Sequence, residues 1–286
     1  MICSLIIVLY NPDPPHVQQL IDGFSAISWP VVLVDNSPES HHFTLPSNAE
    51  YLHFPQNKGI AAAQNAGLER AFTLAKYAVL LDQDSHLSAS MAQTLLSEFM
   101  ALEKTHSIAA IGPSIHCEFS QKRVKAKVHK GVQLNSKVVE AKQIIASGML
   151  LSKASYLAVG KKEEGLFIDG VDHEWCWRAQ QQGFVVFQSL SVCMPHRQGD
   201  DRVKILGLTF KKGAPIRLYY QMRNILVLAR RDYVPLYWKF RHLTAIPLRY
   251  LVNRICFENG KLRGRYMRKG LRDGRHNKQG RCPIDP

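Results

Sequence analysis

The 286-residue sequence predicts an α/β protein, a mostly parallel sheet flanked by helices and followed by a helical, basic C-terminal extension. Three observations predict it. Apolar runs alternate with helical patterns through the first half, the βαβα order of a parallel sheet covered on both faces. The run Tyr77-Ala78-Val79-Leu80-Leu81 ends abruptly in Asp82-Gln83-Asp84-Ser85, which reads as a buried strand with two carboxylates at its carboxyl end. The charge is divided: residues 1–196 carry 15 Lys+Arg against 17 Asp+Glu, whereas residues 197–286 carry 22 against 6. Hydrophobic residues make up 46% of the chain, ample for a core.

The elements follow in order. Ser4 to Tyr10 reads as a strand, Pro15 to Ile27 as a helix, Val31 to Asp35 as a strand, and Lys58 to Lys76 as a helix. Tyr77 to Asp82 is a strand, Ser88 to Glu103 a helix and Ile108 to Pro113 a strand. The polar, Lys-rich stretch Gln121 to Lys142 is an irregular excursion or a hairpin. Pro235 and Pro247 divide the C-terminal stretch into short helical pieces. The division predicted is an α/β domain over 1–200 and a basic, helical region over 201–286.

Three strand ends gather polar residues at one edge of the sheet: Tyr10-Asn11, Asp35-Asn36-Ser37 and Asp82-Gln83-Asp84. Ligands of open α/β sheets bind at that carboxyl edge, so one shared site accounts for all three, although each alone reads equally as a turn. Paired carboxylates suit Mg²⁺ or Mn²⁺, which keep waters and hold a diphosphate through hard oxygen ligands. No Gly-x-Gly-x-x-Gly follows the first strand and no Gly-Lys-Ser/Thr loop is present, which argues against dinucleotide enzymes and P-loop ATPases. The six cysteines show no paired or metal-finger spacing and read as reduced thiols.

Asp35-Asn36-Ser37, Asn57-Lys58-Gly59-Ile60-Ala61-Ala62-Ala63-Gln64-Asn65-Ala66-Gly67 and Asp82-Gln83-Asp84 stand in the order and spacing of inverting family 2 glycosyltransferases. Ile145-Ala146-Ser147-Gly148, Leu166 to Arg178, His196 to Asp200 and Pro215 to Asn224 resemble the bacterial rhamnosyltransferases that use dTDP-L-rhamnose. The resemblance, covering residues 2 to about 232, implies a GT-A (Rossmann-like) fold and transfer of a sugar to a glycan or lipid-linked acceptor in surface polysaccharide or lipopolysaccharide synthesis. It implies that Asp35 contacts the donor's pyrimidine base, with Tyr10 and Asn11 lining the pocket. Asn57 and Lys58 would lie near the nucleotide, and Ser147 and Gly148 with Gln83 in the donor site. Asp82 and Asp84 would serve ribose and metal, with Asp84 the principal metal ligand and His196 another group near the metal or diphosphate. Asp172 falls where the family carries its catalytic base. The chain departs from the pattern at Gly170, where an aromatic residue is common, and at Lys161, where a second glycine is frequent.

Nucleotide-sugar chemistry explains the residue types. A metal neutralises charge on the leaving diphosphate, and one carboxylate takes the acceptor's proton, so a single displacement inverts the anomeric centre. Asp172 sits at a helix start, where backbone N–H groups would hold it, or where it is simply a cap. Asp169 is the alternative base, and Glu174 and Arg178, four apart, form an i,i+4 pair. Arg217, Arg223 and Asn224 on one helix read equally as contacts for the donor phosphates or a lipid-linked diphosphate and as a solvated surface.

The basic last third calls for an acidic partner. Leu236-Tyr237-Trp238-Lys239-Phe240-Arg241 and Leu248-Arg249-Tyr250-Leu251-Val252-Asn253-Arg254 thread apolar anchors among cations, which favours an anionic membrane surface, with no nucleic acid expected. In that arrangement Trp238, Phe240, Tyr250 and Leu251 enter the interface while Lys239, Arg241, Arg249 and Arg254 meet headgroups. No signal peptide or spanning segment is evident, so the expected place is cytoplasmic, peripheral on the inner face of the bacterial plasma membrane. The competing readings are the same machinery with a UDP-hexose donor and a basic nucleic-acid-binding protein.

Overall fold

All seven residues of the first strand are buried, because it lies in a sheet covered on both faces. The computed structural model describes residues 2–117, 122–123, 133–196, 202–205, 208–211 and 213–283. In chain order the elements are β1 (Cys3–Leu9), α1 (Pro14–Asp22), β2 (Val31–Asp35), β3 (Ala49–His53), α2 (Ile60–Leu74), β4 (Tyr77–Asp82) and α3 (Ala89–Leu102). There follow β5 (Ile108–Cys117), β6 (Lys122–Arg123), β7 (Val138–Glu140), β8 (Met149–Ser152), α4 (Lys153–Val159), α5 (Val171–Gln181) and β9 (Val185–His196). The hairpin β10 (Arg202–Ile205) and β11 (Leu208–Lys211) precedes the helices α6 (Pro215–Ala229), α7 (Leu236–Thr244), α8 (Ile246–Ile255) and α9 (Gly260–Arg275).

The main sheet runs β3-β2-β1-β4-β8-β5-β9-β7, with β6 paired to β5. Its first four strands are parallel. β8 then runs antiparallel to both β4 and β5, so the sheet is mixed beyond β4. The order reverses about β1 and β4, the switch point at which a crevice opens beyond the carboxyl ends of the strands. Alternate residues of β1 serve the two faces: Leu5 and Ile7 pack with Val17, Leu20, Leu95 and Phe99, while Ile6 and Val8 pack with Leu68, Phe72, Tyr156 and Trp175.

The expected elements are present with shifted ends. β1 stops at Leu9, and the first helix stops at Asp22, a separate 3₁₀ turn covering Ser25–Ile27. α2 begins only at Ile60 because Gly59 has φ +87, and an added Cβ there would strike Phe167. β5 runs on past Pro113 to Cys117, with a register shift at the proline, which has no N–H to give the ladder. β3 was not expected: it is an edge strand, part-buried along its length, and its Ala-Glu-Tyr-Leu-His sequence has no apolar run. Within Gln121 to Lys142 two short strands join the sheet, and residues 121 and 124–132 lie outside the described residues.

The C-terminal helices share a core with α2 and α5. Leu218, Met222 and Leu228 of α6 pack with Ala61, Leu166, Val171 and Trp177, and Trp238 meets Trp177 edge-on with ring centroids 5.3 Å apart. Trp238 is therefore buried and cannot enter a membrane interface. Tyr250 is part-buried, its hydroxyl accepting from Arg268, and Arg249 turns inward beside His242. The exposed large apolar residues here are Leu236, Phe240 and Leu243 on α7, Leu248, Leu251 and Ile255 on α8, and Leu262 on α9. Among the described residues no helix is long and apolar enough to cross a membrane.

Candidate active site

The ends of β1, β2 and β4 are tied together by side chains. Gln83 accepts the Tyr10 N–H at 2.7 Å, and Ser37 accepts the N–H of Asn11, whose φ of +45 turns the chain out of β1. Asn36, buried at the end of β2, donates to Asn57 Oδ1 and accepts the Lys58 N–H, each at 2.9 Å. Asn57 Oδ1 also accepts the Gly59 N–H, which fixes the approach to α2. The Lys58 ammonium lies 4.1 Å from the Phe54 ring centroid. Tyr10, Asn11, Asn57, Lys58 and Gln83 are thus brought to one edge, as expected.

Asp82 closes β4, part-buried, with Asp84 exposed two residues on. Burial, then the negative charges of Asp172 and Asp84, push the Asp82 carboxyl up to about 7, and Lys162 offsets part of this. The buried Asp82 carboxyl therefore lies within electrostatic reach of Asp172 on α5 and of the exposed Asp84 in the turn after β4. Asp172 is the second residue of α5, yet the helix's own N–H groups do not hold it. Its Oδ2 accepts the Ala146 N–H at 3.0 Å and its Oδ1 accepts from the Lys162 ammonium at 2.7 Å. The Glu174–Arg178 pair is present at 2.7 Å and is anchored by Tyr233 and by the carbonyls of Val159 and Lys161.

Several expected site residues have other work. Arg223 is 0% exposed and donates to the carbonyls of Gly165, Leu166 and Gly280, so it braces the loop before α5 instead of meeting phosphate. Asn224 does the same at Leu166, Ile168 and Asp169. Arg217 is paired with Asp169 at 2.8 Å, which also engages the alternative base. Ser147 is fully buried against Ser85, and Gly148, with φ +83 over Pro113, makes a turn that a side chain would block. Asp35 is enclosed: its carboxylate accepts from the Ser37 N–H, the Tyr51 hydroxyl at 2.6 Å and the His41 ring at 2.7 Å. Burial raises its pKa, but these hydrogen bonds prevail and hold it below the usual carboxylate range. His41 and Tyr51, not Asp35, stand at the edge there. The His196 side chain, and residues 197–200 of its motif, lie outside the described residues.

Asp82 and Asp84 offer hard oxygen donors crowded by like charge, the arrangement a divalent cation relieves. Among the described residues no group of three or more His, Cys, Asp or Glu side chains could hold a metal by itself. Two carboxylates nevertheless match ions that take most remaining ligands from phosphate and water. Sequence reasoning missed Lys162, Asn65, His41 and Tyr51. Asn65 stood inside a quoted motif, but nothing marked Lys162, a second lysine beside an exposed one.

An open sheet of this order, with carboxylates gathered at its switch point, defines a glycosyltransferase of the GT-A fold. A solved structure, the crystal structure of GalNAc-T7 with UDP, GalNAc and Mn2+, superposes with a TM-score of 0.57 at 13% identity over 96% of this chain. The chain spans 56% of that structure's length, and the likeness concerns the fold alone. The family model for Glycosyl transferase family 2 matches residues 4–156. The dTDP-rhamnosyl transferase RfbF of Shigella flexneri is 31% identical over 259 residues, covering 83% of each chain. The chain belongs to glycosyl transferase family 2, and it is a glycosyltransferase.

Proposed function

We propose that this enzyme moves L-rhamnose from dTDP-L-rhamnose, with inversion, onto a glycan or lipid-linked acceptor in bacterial surface polysaccharide or lipopolysaccharide synthesis. The observation that carries the chemistry is the convergence of Asp82 and Asp84 with Asp172 at the carboxyl edge of the sheet. The donor follows from the 31% identical dTDP-rhamnosyl transferase.

Asp172 accepts the acceptor hydroxyl's proton while that oxygen bonds to the anomeric carbon. The bond from that carbon to the diphosphate oxygen breaks on the opposite face, its electron pair leaving with the diphosphate. Each Asp172 oxygen accepts one hydrogen bond within the protein, which leaves lone-pair capacity for the acceptor. A base so placed contributes roughly 10²- to 10⁴-fold in rate. Asp84 and Asp82 would hold Mg²⁺ or Mn²⁺, which when bound neutralises charge developing on the diphosphate. Tyr10, Asn11, Asn57, Lys58 and Gln83 line the nucleotide side. For Asp35 to meet a base, His41 must give up its hydrogen bond.

The enzyme works at an anionic membrane surface, held by the exposed apolar stripes of α7 and α8 and by nearby cations. This reading is supported by Leu236, Phe240 and Leu243 sharing one helical face and Leu248, Leu251 and Ile255 another.

The test is transfer from dTDP-rhamnose, UDP-glucose, UDP-galactose and UDP-N-acetylglucosamine with Mg²⁺ or Mn²⁺, the product's anomeric configuration being read by NMR. Rhamnose transfer with inversion is expected. Preference for a UDP-hexose would overturn the donor, and retention of configuration would overturn the single-displacement mechanism.

A further inference from the structure

Among the described residues before α6, Lys162 is the most deeply buried cation. It is 1% exposed, and its ammonium reaches Asp172 Oδ1 at 2.7 Å with the Met149 sulfur at 3.8 Å on another side. Its neighbour Lys161 is exposed and pairs with Glu69, an ordinary surface arrangement. An ammonium excluded from water is costly unless it is paired and well placed. Its placement is set from α2. The Asn65 side-chain amide accepts the Lys162 N–H and donates to the Lys162 carbonyl, both at 2.9 Å, gripping one residue's backbone from two sides. Asn65 is itself buried, with its Oδ1 receiving the Tyr156 hydroxyl and its Nδ2 also donating to Glu164.

We propose that Lys162 is the positioning residue for Asp172, orienting its carboxylate with a fixed countercharge, and that Asn65 is what holds Lys162 in register. The inference rests on Asp172 being the base. Asp172 takes its hydrogen bonds from Ala146 and Lys162 and none from the N–H groups of its own helix. The ammonium supplies a fixed countercharge with or without a bound metal, while the Ala146 N–H fixes the second oxygen. Together they leave the carboxylate one orientation. Lys162 is not the base, because its ammonium is paired with Asp172 Oδ1 and carries no lone pair to accept a proton.

The experiment compares Lys162→Met, Asn65→Ala, Asp172→Asn and the Lys162→Met/Asp172→Asn double variant by steady-state transfer, with nucleotide binding by calorimetry as the check on folding. Lys162→Met should lower kcat by roughly 10²-fold while the donor KM stays within about twofold, since a small misplacement of a reacting group costs on that order. Asn65→Ala should lower kcat by about tenfold in the same pattern. In the Asp172→Asn background Lys162→Met should cause no further loss, which a general packing role would not produce. Should Lys162→Met not fold, Lys162→Gln carries the same comparison, because it removes the charge and keeps a polar tip. Wild-type kcat in the Lys162 variant with Asp172→Asn inactive overturns this inference alone. Full turnover in Asp172→Asn overturns the base assignment on which it rests.

Discussion

Asp82 is where burial and like charge act together, and its protonation links the site to the stability of the whole chain. Its folded-state carboxyl titrates near 7, above the 3.8 of an unperturbed group, because burial and the charges of Asp172 and Asp84 disfavour the anion. The folded, metal-free protein therefore holds a proton that the unfolded chain has released, and stability falls as pH rises from about 4 to 7. Asp82→Asn removes that penalty. It should stabilise the metal-free protein by about 1–3 kcal/mol at pH 8 and by almost nothing at pH 4, as melting curves at the two values will show. Asp84 is exposed, so Asp84→Ala leaves no cavity and should leave the melting temperature within a degree or two. It should abolish the Mg²⁺- or Mn²⁺-dependence of donor binding in calorimetry; retained metal dependence would remove Asp84 from the ligand set. The two acids were legible because an apolar run stopping at Asp-x-Asp admits few readings. Lys162 was not, since Lys161-Lys162 looks like a solvated pair until the fold places one side chain outside and the other beneath the base.

At the scale of elements, α6 shows how an arginine's role depends on the direction in which its helix face points. Arg223 sits on the face packed inward, under the loop that feeds α5. That loop takes left-handed backbone at Phe167, Asp169 and Gly170, a path that needs outside support. Arg223 and Asn224 supply it through the carbonyls of Gly165, Leu166, Ile168 and Asp169, and Phe167 stacks on Tyr220 with ring centroids 4.8 Å apart. Arg223→Ala strands several buried carbonyls and should destabilise the protein by about 3–5 kcal/mol, read by denaturant unfolding. Arg223→Lys should not restore it, because an ammonium lacks the planar fork that reaches three carbonyls. The sequence carried the helix and its residue types, whereas which face is covered depends on what packs there, here the loop and α9. The same limit hid β3, whose edge position removes the apolar pattern by which a central strand is recognised. The strands bearing the carboxylates lie in the middle of the sheet, where burial on both faces writes an unbroken apolar run, so the catalytic edge was the more readable part of the fold.

The whole molecule is polarised: an almost neutral catalytic half and a C-terminal part with a large excess of Lys and Arg. Charge alone does not choose between a membrane and a nucleic acid, but the surface adds a second observation. Phe240 is 73% exposed and Ile255 69%, on adjoining helices joined through Ala245, and a soluble enzyme gains nothing from holding six such apolar side chains in water. In the proposed membrane-bound state these residues would enter the interface of an anionic bilayer, and each nearby cation would add about 1 kcal/mol. Lys239 and Arg241 on α7 and Lys261 and Arg265 on α9 are at least partly exposed and available for that role. That proposed arrangement would bring a lipid-linked acceptor within reach of the sheet edge, because α6 packs into one core with α2 and α5. Removing the C-terminal helices would strip α9 from α6, where Asp273 receives the Tyr219 hydroxyl, so point variants are the cleaner probe. The triple variant Phe240→Ser, Leu251→Ser, Ile255→Ser changes exposed positions and should melt within a few degrees of wild type. Wild type should sediment with vesicles containing anionic phospholipid, only weakly with neutral ones, and high salt should reduce binding without abolishing it. The triple variant should bind the anionic vesicles at least tenfold more weakly and keep its turnover on a water-soluble acceptor. Equal sedimentation of the two proteins would remove the apolar anchor from the account, and tighter binding of wild type to RNA or duplex DNA than to vesicles would assign the basic surface to nucleic acid.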